Sequence, residues 1–236
     1  MAVKVAESDK VCESLQKVIS SFAEHGFSKV HIIVHSMGAR VVTHAAATGA
    51  LEKVFAPTGD SPSSTLSEFD KEEVDPLKPI IELGSVTFIN PEASLDRFIN
   101  QAYDKLRAVC PLITMYGNGK DIALSSAQYL YALEPIMGRY VYGLKNESPQ
   151  DEATEDMETS LRDDLYLDMD VIDATNLENN VAMDKHTYFS LNKFVVDDLC
   201  ELVISGLRAN EREHRLIKVD GNVFSFLSAP SFVHQG

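Results

Sequence analysis

The period of the apolar positions changes several times along this chain. Val11, Cys12, Leu15, Val18, Ile19 and Phe22 recur at steps of three and four and Gly26 follows them, which predicts an amphipathic helix with a glycine terminator. Residues 30–34, Val-His-Ile-Ile-Val, are a β-branched and nearly continuous apolar run, the pattern of a strand covered on both faces in a parallel sheet. Small residues follow at once, and Ser36-Met37-Gly38-Ala39 leads into an alanine-rich stretch ending at Ala47, so the spacing predicts strand, sharp turn, helix. Residues 80–90 form a second buried strand interrupted by Gly84, and Pro91 stops it before a helix carrying Leu95, Phe98, Ile99, Ala102, Leu106 and Val109. A third strand over 112–116, a Gly117-Asn118-Gly119 turn and a helix over 122–133 repeat the unit. Leu165, Leu167, Met169 and Val171 alternate with Tyr166, Asp168 and Asp170, which predicts a fourth strand with one wet face at a sheet edge. Leu191, Phe194, Val195, Leu199, Leu202 and Val203 mark a last helix. The fold class is therefore α/β, a mostly parallel sheet with flanking helices.

Two segments break this alternation. Residues 57–76, rich in Ser, Asp, Glu and Pro, and residues 146–164, acidic and poor in apolar side chains, read as long solvated loops within one domain spanning 1–212. Residues 213–236 read as a C-terminal tail with one weak strand near 223–227. The chain has 236 residues with 21 Lys plus Arg against 36 Asp plus Glu, a net charge of -15, and such a surface repels phosphate backbones, which disfavours nucleic-acid binding. Cys12, Cys110 and Cys200 are odd in number and widely spaced, as for reduced thiols rather than a disulfide frame or zinc site. Residues 1–10 carry no signal-peptide pattern, and no apolar window reaches the roughly 20 residues of a membrane span. The expectation is a cytoplasmic protein without an integral membrane segment; its start fits a complete cytosolic chain and equally a fragment of a longer one.

The chemistry concentrates at Val34-His35-Ser36-Met37-Gly38, between a buried strand and a helix. This string resembles the G-x-S-x-G nucleophile elbow of the α/β-hydrolases, with Val34 at the first glycine position. A strained turn there lifts the Ser36 hydroxyl clear of the strand, and the helix N-terminus favours developing negative charge. A serine nucleophile needs a base, and the base needs an acid to fix its tautomer. Asp121, after the third strand, and His186, between the fourth strand and the last helix, follow in that order; Asp173 and Asp184 are alternative acids. His31 reads as a structural strand residue, and His35 as packing at the elbow. Gly117-Asn118-Gly119-Lys120-Asp121 lacks the frame of a phosphate-binding loop, Asp168, Asp170 and Asp173 lack that of a calcium loop, and the histidines show no metal-ligand spacing, so neither cofactor nor metal is expected.

The strings VHIIVHSMGARVV, FINPEASLDRF, ITMYGNGKDIALSSAQ and DKHTYFSLNKFVVDDL together resemble the C-terminal half of a little-characterised branch of the α/β-hydrolases, over about residues 11–208. The resemblance implies Ser36 as nucleophile, Asp121 as orienting acid, His186 as general base and the Met37 amide as an oxyanion donor, acting on a small-molecule ester or acyl substrate. It also implies that the first four strands of the fold are lacking, with the loop that supplies a second oxyanion donor, a loss that costs about two to three powers of ten in turnover. The activity expected is thus a serine hydrolase, weak or lost through truncation. The alternative is a non-enzymatic interaction module whose open edge at 30–34 pairs with a second copy or a partner chain.

Overall fold

The computed structural model describes residues 2–58, 81–130, 134–145, 166–177 and 185–227. Of the loop expected at 57–76 all but its first two residues lie outside them, as do the loop expected at 146–164, the alternative acid Asp184 and residues 228–236. In chain order the elements are α1 (Ala2–Ala6), α2 (Asp9–Glu24), β1 (Lys29–His35), α3 (Gly38–Ala47), β2 (Glu82–Ile89), α4 (Leu95–Arg97), α5 (Tyr103–Arg107), β3 (Ile113–Gly117), α6 (Ile122–Leu130), β4 (Asp170–Asp173), α7 (Lys193–Ser205), β5 (Leu216–Asp220) and β6 (Val223–Phe226). The strands form one sheet in the order β1-β2-β3-β4-β6-β5, parallel except for the antiparallel β5–β6 pair. This is the mostly parallel α/β sheet predicted, and no strand lies beyond β1 among the described residues.

Alternation along the inner strands divides the core between two faces. Leu83, Val86 and Phe88 of β2, Ile113 and Met115 of β3 and Val171 of β4 pack with α2, α3, α4 and α5. Ile89, Tyr116 and Ile172 point the other way, against Tyr188, Val195, Leu216 and Phe224. On β1 that second face is only partly covered, and Ile33 is 50 % exposed. Gly84 is a bulge: Val30 pairs with Leu83 and His31 with Ser85, and the His31 ring lies where a Cβ on Gly84 would stand 2.6 Å from it. His31 Nδ1 is 2.8 Å from Ser85 Oγ, and burial, aided by Lys29, draws its pKa below the ordinary imidazole value.

Three expectations are corrected. The helix over 95–109 is broken by a π-helical turn at Phe98–Ala102, which lets Phe98, Ala102, Tyr103 and Leu106 all face the core. The fourth strand starts only at Asp170 and lies between β3 and β4's other neighbour, β6, rather than at an edge. The alternating acids expected on its wet face meet arginines: Arg208 pairs with the buried Asp170 at 2.9 Å and with the half-exposed Asp168 at 2.6 Å, and Arg107 also binds Asp168. Finally, the segment read as a tail carries, besides the strand expected near 223–227, which is β6, a second strand, β5, and both join the sheet.

A buried ionic group fixes α7, the helix that follows His186. Asp198 and Arg212, both 0 % exposed in their side chains, pair at 2.9 Å, and the Tyr116 hydroxyl of β3 donates to Asp198. Burial, together with the Asp198 charge, pushes the Tyr116 phenol well above its usual pKa, so it keeps the proton it donates. Removing one partner leaves the other charge buried alone. Asp198→Ala should lower the unfolding free energy in urea by about 3–5 kcal/mol, and adding Arg212→Leu should restore part of it by removing the orphaned cation.

Candidate functional site

Ser36 follows β1 with φ +53°, in the left-handed region that a side chain disfavours. Its N–H donates to the Ile89 carbonyl at 3.1 Å, and its carbonyl accepts from Glu92 N at 3.0 Å and Ala39 N at 3.1 Å. These bonds carry the β1–β2 ladder past the strand ends and turn the chain into α3. A Cβ on Gly38 would lie 3.8 Å from Val34 Cβ, an ordinary contact, so valine fits at the position where the elbow pattern has its first glycine. Met37 is the N-cap of α3, where an amide has no helical carbonyl to bind. Behind the turn, Arg40 of α3 pairs with Glu7 at 2.9 Å and lies 3.5 Å from Glu92, whose amide holds the Ser36 carbonyl.

Asp121 stands at the start of α6 and is 1 % exposed. Its Oδ1 accepts from Leu124 N at 2.8 Å, capping the helix, and its Oδ2 lies 2.7 Å from His186 Nδ1. A carboxylate only accepts, so the neutral imidazole carries its proton on Nδ1 and keeps a lone pair on Nε2. Asp173, the alternative acid, bonds its own loop instead, accepting from Thr175 N at 2.8 Å.

The elbow and the histidine loop meet through His35 and Asn90. The His35 ring packs 4.5 Å from that of His186 and 4.6 Å from Phe189, and His35 Nε2 is 3.1 Å from the His186 carbonyl oxygen, to which it must donate. Asn90 Nδ2 donates to the carbonyls of Lys185 at 3.2 Å and His186 at 3.0 Å, while its Oδ1 accepts from the Tyr188 hydroxyl at 2.9 Å. The structure thus joins Asp121 and His186 directly, with Ser36 flanked by the two residues that grip the His186 backbone. Sequence reasoning gave His35 a packing role and missed Asn90; the Asn-Pro dipeptide after β2 was the available signal.

Gly138 was missed as well. Its N–H donates to the Pro91 carbonyl at 3.0 Å and its carbonyl accepts from Asn118 N at 2.8 Å, so it ties the Asn90 turn to the Asp121 loop. A Cβ there would stand 2.7 Å from backbone atoms of Asn90 and Pro91 and 2.6 Å from Leu124 Cδ1. A cavity of about 590 Å³ lies at the opposite end of the sheet, beside Asp170, Arg208 and Asn222. Among the described residues no group of three or more His, Cys, Asp or Glu could hold a metal ion, and no helix is long and apolar enough to cross a membrane. Gly138→Ala should cost roughly 1–3 kcal/mol through overpacking against backbone, read as a lowered midpoint in a thermal melt.

Comparison with known proteins gives one family. The family model described as "Alpha/beta hydrolase of unknown function (DUF900)" matches residues 6–204. Neither the curated proteins nor the solved structures contain a match. A left-handed serine between a parallel strand and a helix, with an acid–histidine pair beside it, accords with that match, and the chain belongs to this alpha/beta hydrolase family.

Proposed function

We propose that the protein is a serine hydrolase acting on carboxylic esters or related acyl groups, with Ser36 as nucleophile, His186 as general base and Asp121 as the acid that orients it. The observation that carries this reading is the part-buried hydrogen bond between His186 Nδ1 and Asp121 Oδ2 at 2.7 Å, with the ring of His35, the residue before the left-handed Ser36, packed against that of His186. His186 Nε2 takes the Ser36 proton as Oγ attacks the acyl carbon, and the resulting imidazolium is stabilised by Asp121. The Met37 amide binds the oxyanion, and collapse of the tetrahedral intermediate expels the alcohol, which takes its proton from His186. Water, deprotonated by the same imidazole, then releases the acid and regenerates Ser36. No step calls on a cofactor. The free thiols of Cys12, Cys110 and Cys200 fit a reducing compartment, and the cytoplasm is the setting proposed.

A second reading has its own observation in the outer edge of β1, which no strand pairs among the described residues and which carries the half-exposed Ile33. In that reading the domain is an interaction module that pairs with a second copy or another chain. It expects a larger species in sedimentation that Ile33→Lys reduces to the monomer, with Ser36→Ala having no effect on any function.

Labelling with a fluorophosphonate, read by intact mass on the folded chain, separates the two. One adduct is expected on the wild type and none on Ser36→Ala or His186→Ala, with Asp121→Asn slowing labelling by about 10⁴-fold. An unlabelled wild type with native circular dichroism, or an adduct that survives Ser36→Ala, defeats the hydrolase reading.

A further inference from the structure

Among the described residues, three that are not glycine have positive φ: Ser36 at +53°, Asn90 at +41° and Lys185 at +56°. Left-handed backbone at such residues persists only where surrounding contacts over-determine it. Here the three are wired to one another. Ser36 N–H bonds the carbonyl of Ile89, the neighbour of Asn90, and the Asn90 carboxamide bonds the carbonyl of Lys185 and that of His186.

The geometry points to Asn90 as a positioning residue that acts through His186: its carboxamide sets the orientation of the imidazole toward Asp121 and locks it in one tautomer. This inference rests on the hydrolase reading and names a part of the site which that reading does not require. The carboxamide is fully buried and oriented by the Tyr188 hydroxyl, which occupies Oδ1 and leaves both Nδ2 protons for the two carbonyls. Tyr188 retains its proton because burial, with the Asp121 and Asp173 charges, holds its pKa well above the ordinary phenol value. The backbone is therefore clamped at the carbonyl before and the carbonyl after the Cα of His186, on both sides of the side chain that must meet Asp121. His35 Nε2 bonds the second of those carbonyls from the elbow side, so the clamp also ties the base to the Ser36 turn. Asparagine suits both tasks, since it tolerates left-handed backbone and carries two donors with one acceptor.

The test compares full-length wild type with Asn90→Gly and Tyr188→Phe. Glycine keeps the left-handed backbone and deletes the carboxamide, whereas phenylalanine keeps the ring and releases the carboxamide from its anchor. Long-range proton–nitrogen NMR correlations report which ring nitrogen of His186 carries the proton, and fluorophosphonate labelling reports reactivity. The wild type should show a single Nδ1–H tautomer. Asn90→Gly should show mixed tautomers and label about 100-fold more slowly, the scale of a misplaced reacting group, with Tyr188→Phe intermediate in both readouts. A single Nδ1–H tautomer in Asn90→Gly, with labelling within twofold of wild type, overturns the proposal. If Asn90→Gly does not fold, Tyr188→Phe decides by the same two readouts. If the wild type itself does not label, the hydrolase reading fails, and the tautomer comparison still decides whether Asn90 orients His186.

Discussion

The junction between the ends of β1 and β2 is the constraint on which the site depends. Two parallel strands in register bring Ile89 beside His35, and one residue further the Ser36 backbone can stay left-handed only because its amide and its carbonyl are both held by the β2 side, through Ile89 and Glu92. Residues in sparsely populated backbone regions each cost on the order of 1–3 kcal/mol, and a sheet buried on its inner strands is rigid enough to sustain that. Everything else is reached from this junction. Asn90 leaves it to hold the Lys185–His186 peptide, Pro91 accepts from Gly138, and Gly138 reaches the Asn118 turn that leads to Asp121.

Charges that face inward are the second theme. The protein is strongly acidic, yet its buried acids are matched locally: Asp198 by Arg212 and Tyr116, Asp170 by Arg208, and Glu92 by Arg40. Pairs of this kind add little net stability but are costly to break, so they fix which helix meets which strand. Asp168 shows the balance on a half-exposed group. Burial raises its pKa, but hydrogen bonds and charge from Arg208 and Arg107 outweigh burial and hold the carboxyl below its usual value. Its contribution is thus present above the ordinary aspartate range and fades as pH falls through the depressed folded value, and solvent keeps it small.

Much of the fold was legible along the chain because burial leaves a period. The helix from Val11, observed as Asp9–Glu24, and the apolar runs that became β1, β2 and β3 were read from spacing alone, but β1, expected to be covered on both faces, is among the described residues an edge strand with no fully buried residue. The errors share one cause, which is that the partner lay elsewhere in the sequence. Asp168 and Asp170 look like a wet strand face until Arg107 and Arg208 arrive from other elements, and β5 carries a mostly exposed pattern that only its pairing with β6 makes a strand. The π turn at Phe98–Ala102 is likewise invisible to a helical period, because it changes the spacing by a single residue.

For the site, the sequence by itself determined the candidates: a serine at a strand-to-helix turn, then an acid and a histidine in order after later strands, since a nucleophile's turn and the chain order are local and linear properties. Tertiary structure alone decided their partners. Asp121 meets His186 across 65 positions of sequence while Asp173 turns back on its own loop, and Asn90 grips the histidine's backbone from 95 and 96 positions away. A hydrogen bond requires a donor and an acceptor within about 3 Å, and only the packed sheet brings residues so distant in sequence that close.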